Sequence, residues 1–133
     1  MTEAVSNKSK SVIVRINARI DCNGSKLMLA LILFIINLAL NSRGSVIRAS
    51  SRDLARFREL LMLLGIRKLT VQDRAAILKA LRRIARAYGV GEAYMNNTHY
   101  VILDARRLRS MQPEELAREL ARIICEEGDG DGR

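Results

Sequence analysis

Residues 69–104, LTVQDRAAILKALRRIARAYGVGEAYMNNTHYVILD, carry the strongest structural signal in this chain. Thr70 followed three residues later by Asp73 resembles a capping box, in which two side chains satisfy unpaired amides at a helix N-terminus. The apolar residues that follow recur at helical spacing as far as Tyr88, and Gly89 is a typical helix terminator. The sequence therefore predicts one long helix between the capping box and the glycine.

A hairpin follows this helix directly. Two short strand-like runs, 93–95 and 98–103, flank Asn96 and Asn97. Asparagine tolerates the positive φ angles that a two-residue hairpin turn requires. The stretch thus predicts a helix that leads into a two-stranded antiparallel hairpin.

Basic residues cluster on the predicted helix. Residues 67–89 contain seven lysines and arginines against the single acid Asp73. Four of them recur at i, i+3, i+4 and i+7, on the face opposite the apolar stripe. The basic stripe consists of Lys79, Arg82, Arg83 and Arg86, and the apolar stripe of Ile77, Leu78, Leu81, Ile84, Ala85 and Tyr88. A solvated surface helix is the alternative, but like charges at i,i+4 repel each other. A stripe without interspersed acids favours contact with a polyanion.

This helix and hairpin resemble the recognition helix and wing of a winged helix-turn-helix DNA-binding domain. In that family a basic helix ends in a small-residue turn and leads into a two-stranded hairpin. The resemblance covers residues 70–104, about 35 of the 133 residues. It implies that the basic stripe contacts the major groove or phosphates. It also implies that Asn96, Asn97 and Thr98 form a wing tip near the minor groove or the backbone.

The chain departs from that family on the N-terminal side of the helix. Family members have a separate short helix just before the recognition helix, and residues 65–69 are too few to supply one. Residues 11–49 predict a strand, a helix and a second strand, and this N-terminal segment is not part of the standard domain either.

The first part of the chain predicts two strands around an apolar helix. Residues 11–21 alternate between apolar and polar side chains, which indicates a half-buried strand, and residues 45–49 are short and β-branched. Residues 26–40 are apolar on every side, which predicts a helix covered all round. Ser25 is its expected N-cap and Gly44 its expected stop.

Two further helices are bounded by cap signals. One begins after Ser50 and is closed by Gly65, and the other begins at Pro113 and covers residues 114–127. Between the hairpin and the last helix, residues 104–111 form a basic connector. Its arginines are Arg106, Arg107 and Arg109. They either extend the basic surface or neutralise the acidic last helix.

Together these elements predict an α+β fold. Its small sheet contains the N-terminal strand, the short second strand and the C-terminal hairpin, packed with about four helices, one of them fully apolar. Hydrophobic residues make up 49% of the 133 residues, which suits one core. Residues 11–127 are expected to form a single domain, with flexible tails at residues 1–10 and 128–133.

The composition gives little support to an enzyme. One histidine and two cysteines argue against a metal-rich site, and the common phosphate, zinc and nucleophile motifs are absent from the sequence. His99 is expected to be a structural or surface histidine and not a catalytic base. Asp21, Glu92 and Asp104 form a possible nuclease cluster, but each has a simpler account at a strand end or in a loop. No catalytic residue, metal ligand or cofactor is therefore predicted.

The cysteines and the apolar stretch bear on the cellular setting. Cys22 and Cys125 are either two buried thiols or one disulfide, and a cytosolic disulfide is typical of hyperthermophiles. Arginine outnumbers lysine by 18 to 5, which suggests a thermophilic or GC-rich source, archaeal or viral. Residues 1–10 are polar, so no signal peptide is expected. Residues 27–40 fall short of the about 20 that span a membrane. We expect a cytoplasmic protein without membrane contact.

The net charge of +9 and the basic stripe predict a protein that binds nucleic acid, DNA rather than RNA. No small-molecule substrate is expected. The candidate contacts are Arg74, Lys79, Arg82, Arg83, Arg86, Asn96, Asn97, Arg106, Arg107 and Arg109. The alternative is a structural or assembly subunit of a nucleoprotein particle, whose main contacts are with other protein chains. The apolar helix offers more surface than one chain is expected to cover, which predicts a homodimer.

Overall fold

The computed structural model describes Cys22 and residues 24–126. Its elements, in chain order, are α1 (Lys26–Asn41), β1 (Val46–Ala49), α2 (Ser51–Arg56), α3 (Arg58–Leu63), α4 (Val71–Tyr88), β2 (Gly89–Met95), β3 (Thr98–Asp104), α5 (Ala105–Arg109), α6 (Pro113–Ala121) and a π-helical turn (Arg122–Glu126). The α+β class is confirmed. The strand predicted at residues 11–21 and both predicted tails lie outside the described residues.

The three strands form one antiparallel sheet in the order β1-β3-β2. On one face of β3, Val101 and Leu103 pair with Ala49 and Ile47 of β1, and all four are buried. Strand β2 lies at the edge of the sheet and is exposed along most of its length. The predicted hairpin is confirmed, because its two turn asparagines have φ angles of 51° and 60°.

Helix α1 forms the centre of the core. Ser25 caps it as predicted, since its Oγ accepts a hydrogen bond of 3.2 Å from the Met28 amide. The side chains from Leu29 to Ile36 are all buried within one chain, against α3, α4, α5, α6 and β1. One chain therefore covers the middle of this helix, whereas Leu40 near its C-terminus is 40% exposed, and the homodimer stays a prediction. Among the described residues, no helix has the length and hydropathy needed to span a membrane.

The expected stop of α1 at Gly44 is wrong. The helix ends at Asn41, and Ser42 already has extended backbone angles, φ −87° and ψ 142°. Arg109 donates hydrogen bonds to the carbonyl groups of Ser42 and Gly44, at 3.2 and 2.9 Å. A distant arginine thus stabilises the chain beyond the helix, where the sequence suggested a glycine cap.

The helix predicted between Ser50 and Gly65 is two helices, because the chain leaves helical geometry at Phe57, with φ −84° and ψ 70°. The Phe57 ring packs edge-on against Phe34 of α1, with centroids 6.2 Å apart. This tertiary contact explains a break that local propensity does not signal. Gly65 closes α3 as predicted, with φ +76° and a hydrogen bond from the Ile66 amide to the Leu61 carbonyl.

Helix α4 begins with the predicted capping box: the Thr70 amide donates to Asp73 at 2.9 Å, and the Asp73 amide donates to Thr70 at 3.0 Å. It ends at Tyr88, also as predicted. Gly89 is not left-handed, however, and has an extended backbone with φ −82°. A Cβ at this position would lie 2.6 Å from the Ala85 carbonyl oxygen. Glycine is therefore required at position 89 because Ala85 leaves no room for a Cβ atom, and not because of its backbone conformation.

The C-terminal part agrees with the prediction up to Ala121. The connector contains α5, and Pro113 begins α6. Beyond α6 the predicted α-helix is wrong, because residues 122–126 widen into a π-helical turn in which Ile123, Ile124 and Cys125 are all buried. Three buried residues in succession do not fit one face of an α-helix. Cys125 forms a disulfide with Cys22, which decides between the two alternatives for these cysteines.

Candidate nucleic-acid interface

Helix α4 has apolar side chains on its buried side and basic side chains on its exposed side, as the sequence predicts. Ile77, Leu81 and Ile84 are completely buried. Lys79, Arg82 and Arg86 are exposed on the other side, and Arg83 is half-buried between the two. We call the three exposed side chains, Lys79, Arg82 and Arg86, the basic face. The only acid of the helix, Asp73, is used by the capping box at its N-terminus.

A groove opens beside the first half of α4, between this helix, α2 and the hairpin turn. Its volume is about 760 Å³. It is lined by Ser51, Arg52, Ala55, Arg56, Val71, Arg74, Ala75, Leu78, Asn97, Thr98 and His99. We call it the basic groove, because the lining residues include three arginines and no carboxylate. Arg74 and Asn97, both predicted contacts, meet here.

Arg52 and Arg56 are the groove residues that the sequence analysis missed. They lie one helical turn apart on the short helix α2, with the acid Asp53 between them in sequence. Because Arg52 and Arg56 are far from Arg74 and the hairpin in sequence, the sequence does not indicate that all of them line one groove. The only local signal was the i,i+4 spacing of two arginines, which is common on exposed helices.

Arg52 holds the hairpin turn against α2. Its Nη1 donates to the Thr98 hydroxyl at 3.1 Å and to the Asn96 carbonyl at 3.4 Å. Thr98 is buried, and its hydroxyl also approaches the Asn96 carbonyl at 3.3 Å. The turn is thus fixed where Asn97 lines the basic groove, and the side chains of Arg56 and Arg74 remain exposed there.

The basic groove continues into the basic face along α4. Leu78 lines the groove, and Arg82 follows it by four residues and Arg86 by eight. Residues four apart lie above one another on a helix, about one 5.4 Å turn apart. The cationic side chains therefore form one continuous surface from the hairpin turn along α4.

The three connector arginines have different surroundings. Arg107 donates to the Ala87 carbonyl at 2.7 Å, and its guanidinium lies 4.6 Å from the centre of the Tyr88 ring. It therefore extends the basic surface at the C-terminus of α4, where a cation also stabilises the helix dipole. Arg109 lies instead at the end of α1, bound to the two carbonyl groups described above. Arg106 is exposed.

The last helix is joined to α4 through Tyr88. The Tyr88 hydroxyl donates to Glu119 at 3.0 Å, and Glu119 also accepts hydrogen bonds from Arg122 at 2.9 and 3.1 Å. Burial, followed by this bond to Glu119, raises the pKa of Tyr88. The hydrogen bond from Arg122 lowers the pKa of Glu119. Glu119 thus stays ionised beside the end of α4, and the π-helical turn that follows α6 packs against the same helix.

The acidic residues considered for a nuclease cluster have structural contacts. Glu92 Oε1 lies 2.6 Å from His99 Nε2, across the hairpin. Asp104 caps α5 by accepting hydrogen bonds from the Arg106 and Arg107 amides. Asp21 lies outside the described residues. Within Cys22 and residues 24–126, no three or more His, Cys, Asp or Glu residues are grouped closely enough to hold a metal ion.

No protein-family model, curated protein or solved structure matches this chain.

Proposed function

We propose that this protein binds duplex DNA through α4 and the basic groove. The observation that carries the proposal is the continuous cationic surface formed by Arg56 and Arg74 in the groove and by the basic face beyond them. Guanidinium groups match phosphate oxygens in bidentate geometry. A duplex presents such phosphates along both edges of its major groove.

The order of the elements supports the resemblance to winged helix-turn-helix domains. In this proposal α3, which precedes α4 in the chain, takes the place of the separate short helix that this family has before its recognition helix. Strand β1 pairs with β3, so that the hairpin and β1 form one three-stranded sheet. One departure remains: residues 64–70 separate α3 from α4, and a helix-turn-helix connection typically has three or four residues.

In the proposed complex, α4 lies against the major groove and the hairpin turn against the neighbouring backbone. The arginines and Lys79 neutralise phosphates and release counterions, which supplies most of the affinity. Arg52 positions the turn through its bonds to Thr98 and Asn96. The residues that contact phosphates give little sequence discrimination by themselves.

The proposed DNA binding also bears on the cellular compartment and the source of the protein. In a prokaryote the DNA lies in the cytoplasm, where mesophiles keep thiols reduced. The buried disulfide between Cys22 and Cys125 is compatible with that compartment in a hyperthermophile. We infer a cytoplasmic protein from a thermophilic source, archaeal or viral.

Removal of the two exposed groove arginines tests the proposal. We expect Arg56→Ala/Arg74→Ala to weaken binding to a random-sequence duplex by about tenfold or more at low salt. The salt slope of the affinity should fall by about two, because each phosphate contact contributes about 0.9 to that slope. Fluorescence anisotropy with a labelled duplex measures both quantities.

The matched control is Arg43→Ala/Arg118→Ala, which removes two exposed arginines outside the groove. We expect this control to retain most of the affinity. Equal losses in both variants would contradict a local interface. The same assay with single-stranded DNA and RNA tests the preference for duplex DNA. Failure to bind all three probes at low salt would overturn the proposal and favour the assembly subunit.

A further inference from the structure

Tyr94 is the most exposed aromatic side chain of this protein. The sequence contains two Phe, three Tyr and no Trp, and all five aromatic residues lie within the part of the chain that the structure describes. Tyr94, near the tip of the hairpin, is 68% exposed. The other four, Phe34, Phe57, Tyr88 and Tyr100, are buried or half-buried. Tyrosine is enriched at binding surfaces, because its ring is apolar and its hydroxyl is polar.

The Tyr94 ring lies beside the basic groove. Tyr94 on β2 stands directly opposite His99 on β3, and their ring centroids are 6.3 Å apart with an interplanar angle of 69°. His99 in turn lines the basic groove together with Arg56 and Arg74. This single edge-to-face contact covers at most one face of the tyrosine ring. The other face is open to solvent, next to a surface that carries arginines.

The hairpin holds Tyr94 in a fixed place. Arg52 joins the hairpin turn to α2 through the two hydrogen bonds described above. Glu92 lies on the same side of β2 as Tyr94, since side chains two residues apart share a face of a strand. Its Oε1 atom is 2.6 Å from His99 Nε2, so this carboxylate is engaged across the hairpin. A ring that is positioned in advance loses little conformational freedom when it binds a partner.

We propose that the open face of Tyr94 stacks on an unpaired DNA base whose strand is held in the basic groove. Proteins bind unstacked bases with this combination of groups: cationic side chains hold the phosphates and an aromatic ring stacks on the base. A base is joined to its phosphate through one sugar, so a strand in the groove brings its bases to Tyr94. The inference rests on the proposed function, because the groove must first hold the phosphates.

The preferred partner is a duplex that contains an extrahelical base. In a fully paired duplex each base is stacked between its neighbours, and a protein must first extrude it at a cost in free energy. That cost is lowest for a base that is already unpaired. Tyr94 therefore adds little to the binding of a paired duplex and more to the binding of a bulged one.

The first test compares two labelled duplexes of the same sequence, one fully paired and one with a single extra adenine in one strand. We expect the unaltered chain to bind the bulged duplex about fivefold or more tightly, which is the lower end of the effect of one base–aromatic stack. Tyr94→Ala should lose this preference and retain its affinity for the paired duplex within about twofold. Fluorescence anisotropy at low salt measures both affinities.

Two control variants show whether the ring itself is responsible. Tyr94→Phe keeps an aromatic ring and should keep the preference for the bulged duplex. Val90→Ala shortens another exposed apolar side chain, at the opposite end of β2, and should keep it as well. Equal affinity of the unaltered chain for both duplexes would overturn the stacking and leave the proposed DNA binding intact. Failure to bind either duplex would overturn both proposals.

Photo-cross-linking locates the contact. Iodouracil, placed in the bulge instead of the extra adenine, couples under ultraviolet light to an aromatic ring that stacks on it. We expect the cross-linked peptide to contain Tyr94, and Tyr94→Ala to give no cross-link. A cross-link at Tyr100, or no cross-link in the bound complex, would contradict stacking on Tyr94.

Discussion

Removal of the disulfide between Cys22 and Cys125 is expected to lower the free energy of unfolding by about 3–5 kcal/mol. The two cysteines are 103 residues apart in sequence, so the bond closes most of the chain into one loop. A cross-link over about 100 residues restricts the unfolded ensemble by about 4.7 kcal/mol in the chain-entropy model. Both residues are buried, at 3% and 7% exposure, so the bond does not contact solvent in the native state.

Denaturation of Cys22→Ala/Cys125→Ala with guanidinium chloride measures this contribution. Alanine avoids the extra cost of burying a hydroxyl group that serine would bring. The reduced form of the unaltered chain should show a similar loss, and reductant should not affect the double variant. A loss of less than about 1 kcal/mol would contradict the assigned role of the disulfide.

Neutralisation of the basic face is expected to have the largest effect on DNA binding. We expect Lys79→Ala/Arg82→Ala/Arg86→Ala to weaken binding to a duplex on the order of 100-fold, because three phosphate contacts are lost together. All three side chains are exposed, and alanine has the highest helix propensity. The far-UV circular dichroism spectrum should therefore be unchanged.

A matched triple variant separates local contacts from net charge. Lys26→Ala/Arg43→Ala/Arg118→Ala removes one exposed lysine and two exposed arginines outside α4 and the basic groove. It should retain affinity within a few-fold of the unaltered chain. If both triple variants lost affinity equally, binding would depend on overall charge and not on α4.

Local signals predicted the elements around α4 because the interactions that determine them are local. The capping box between Thr70 and Asp73 spans three residues, and Asn96 and Asn97 form the turn that their own backbone preferences favour. The separation of basic and apolar side chains on α4 follows from helical periodicity alone. These features need no knowledge of the rest of the chain.

The features that the sequence did not predict depend on contacts between distant residues. The break at Phe57 follows from its contact with Phe34, 23 positions earlier in the chain. Arg109 replaces the expected cap at Gly44 from 65 residues away. The basic groove forms only when α2, α4 and the hairpin turn come together. The positions of Arg52 and Arg56 in the sequence therefore did not indicate that they lie beside Arg74.

The dependence of DNA affinity on salt tests the central claim most directly. If Arg56, Arg74 and the basic face each neutralise one phosphate, log Kobs against log salt concentration should fall with a slope of about −4 to −5. Titrations of a labelled random duplex between about 50 and 200 mM salt measure this slope. A slope near zero, or no binding at the lowest salt concentration, would contradict the account.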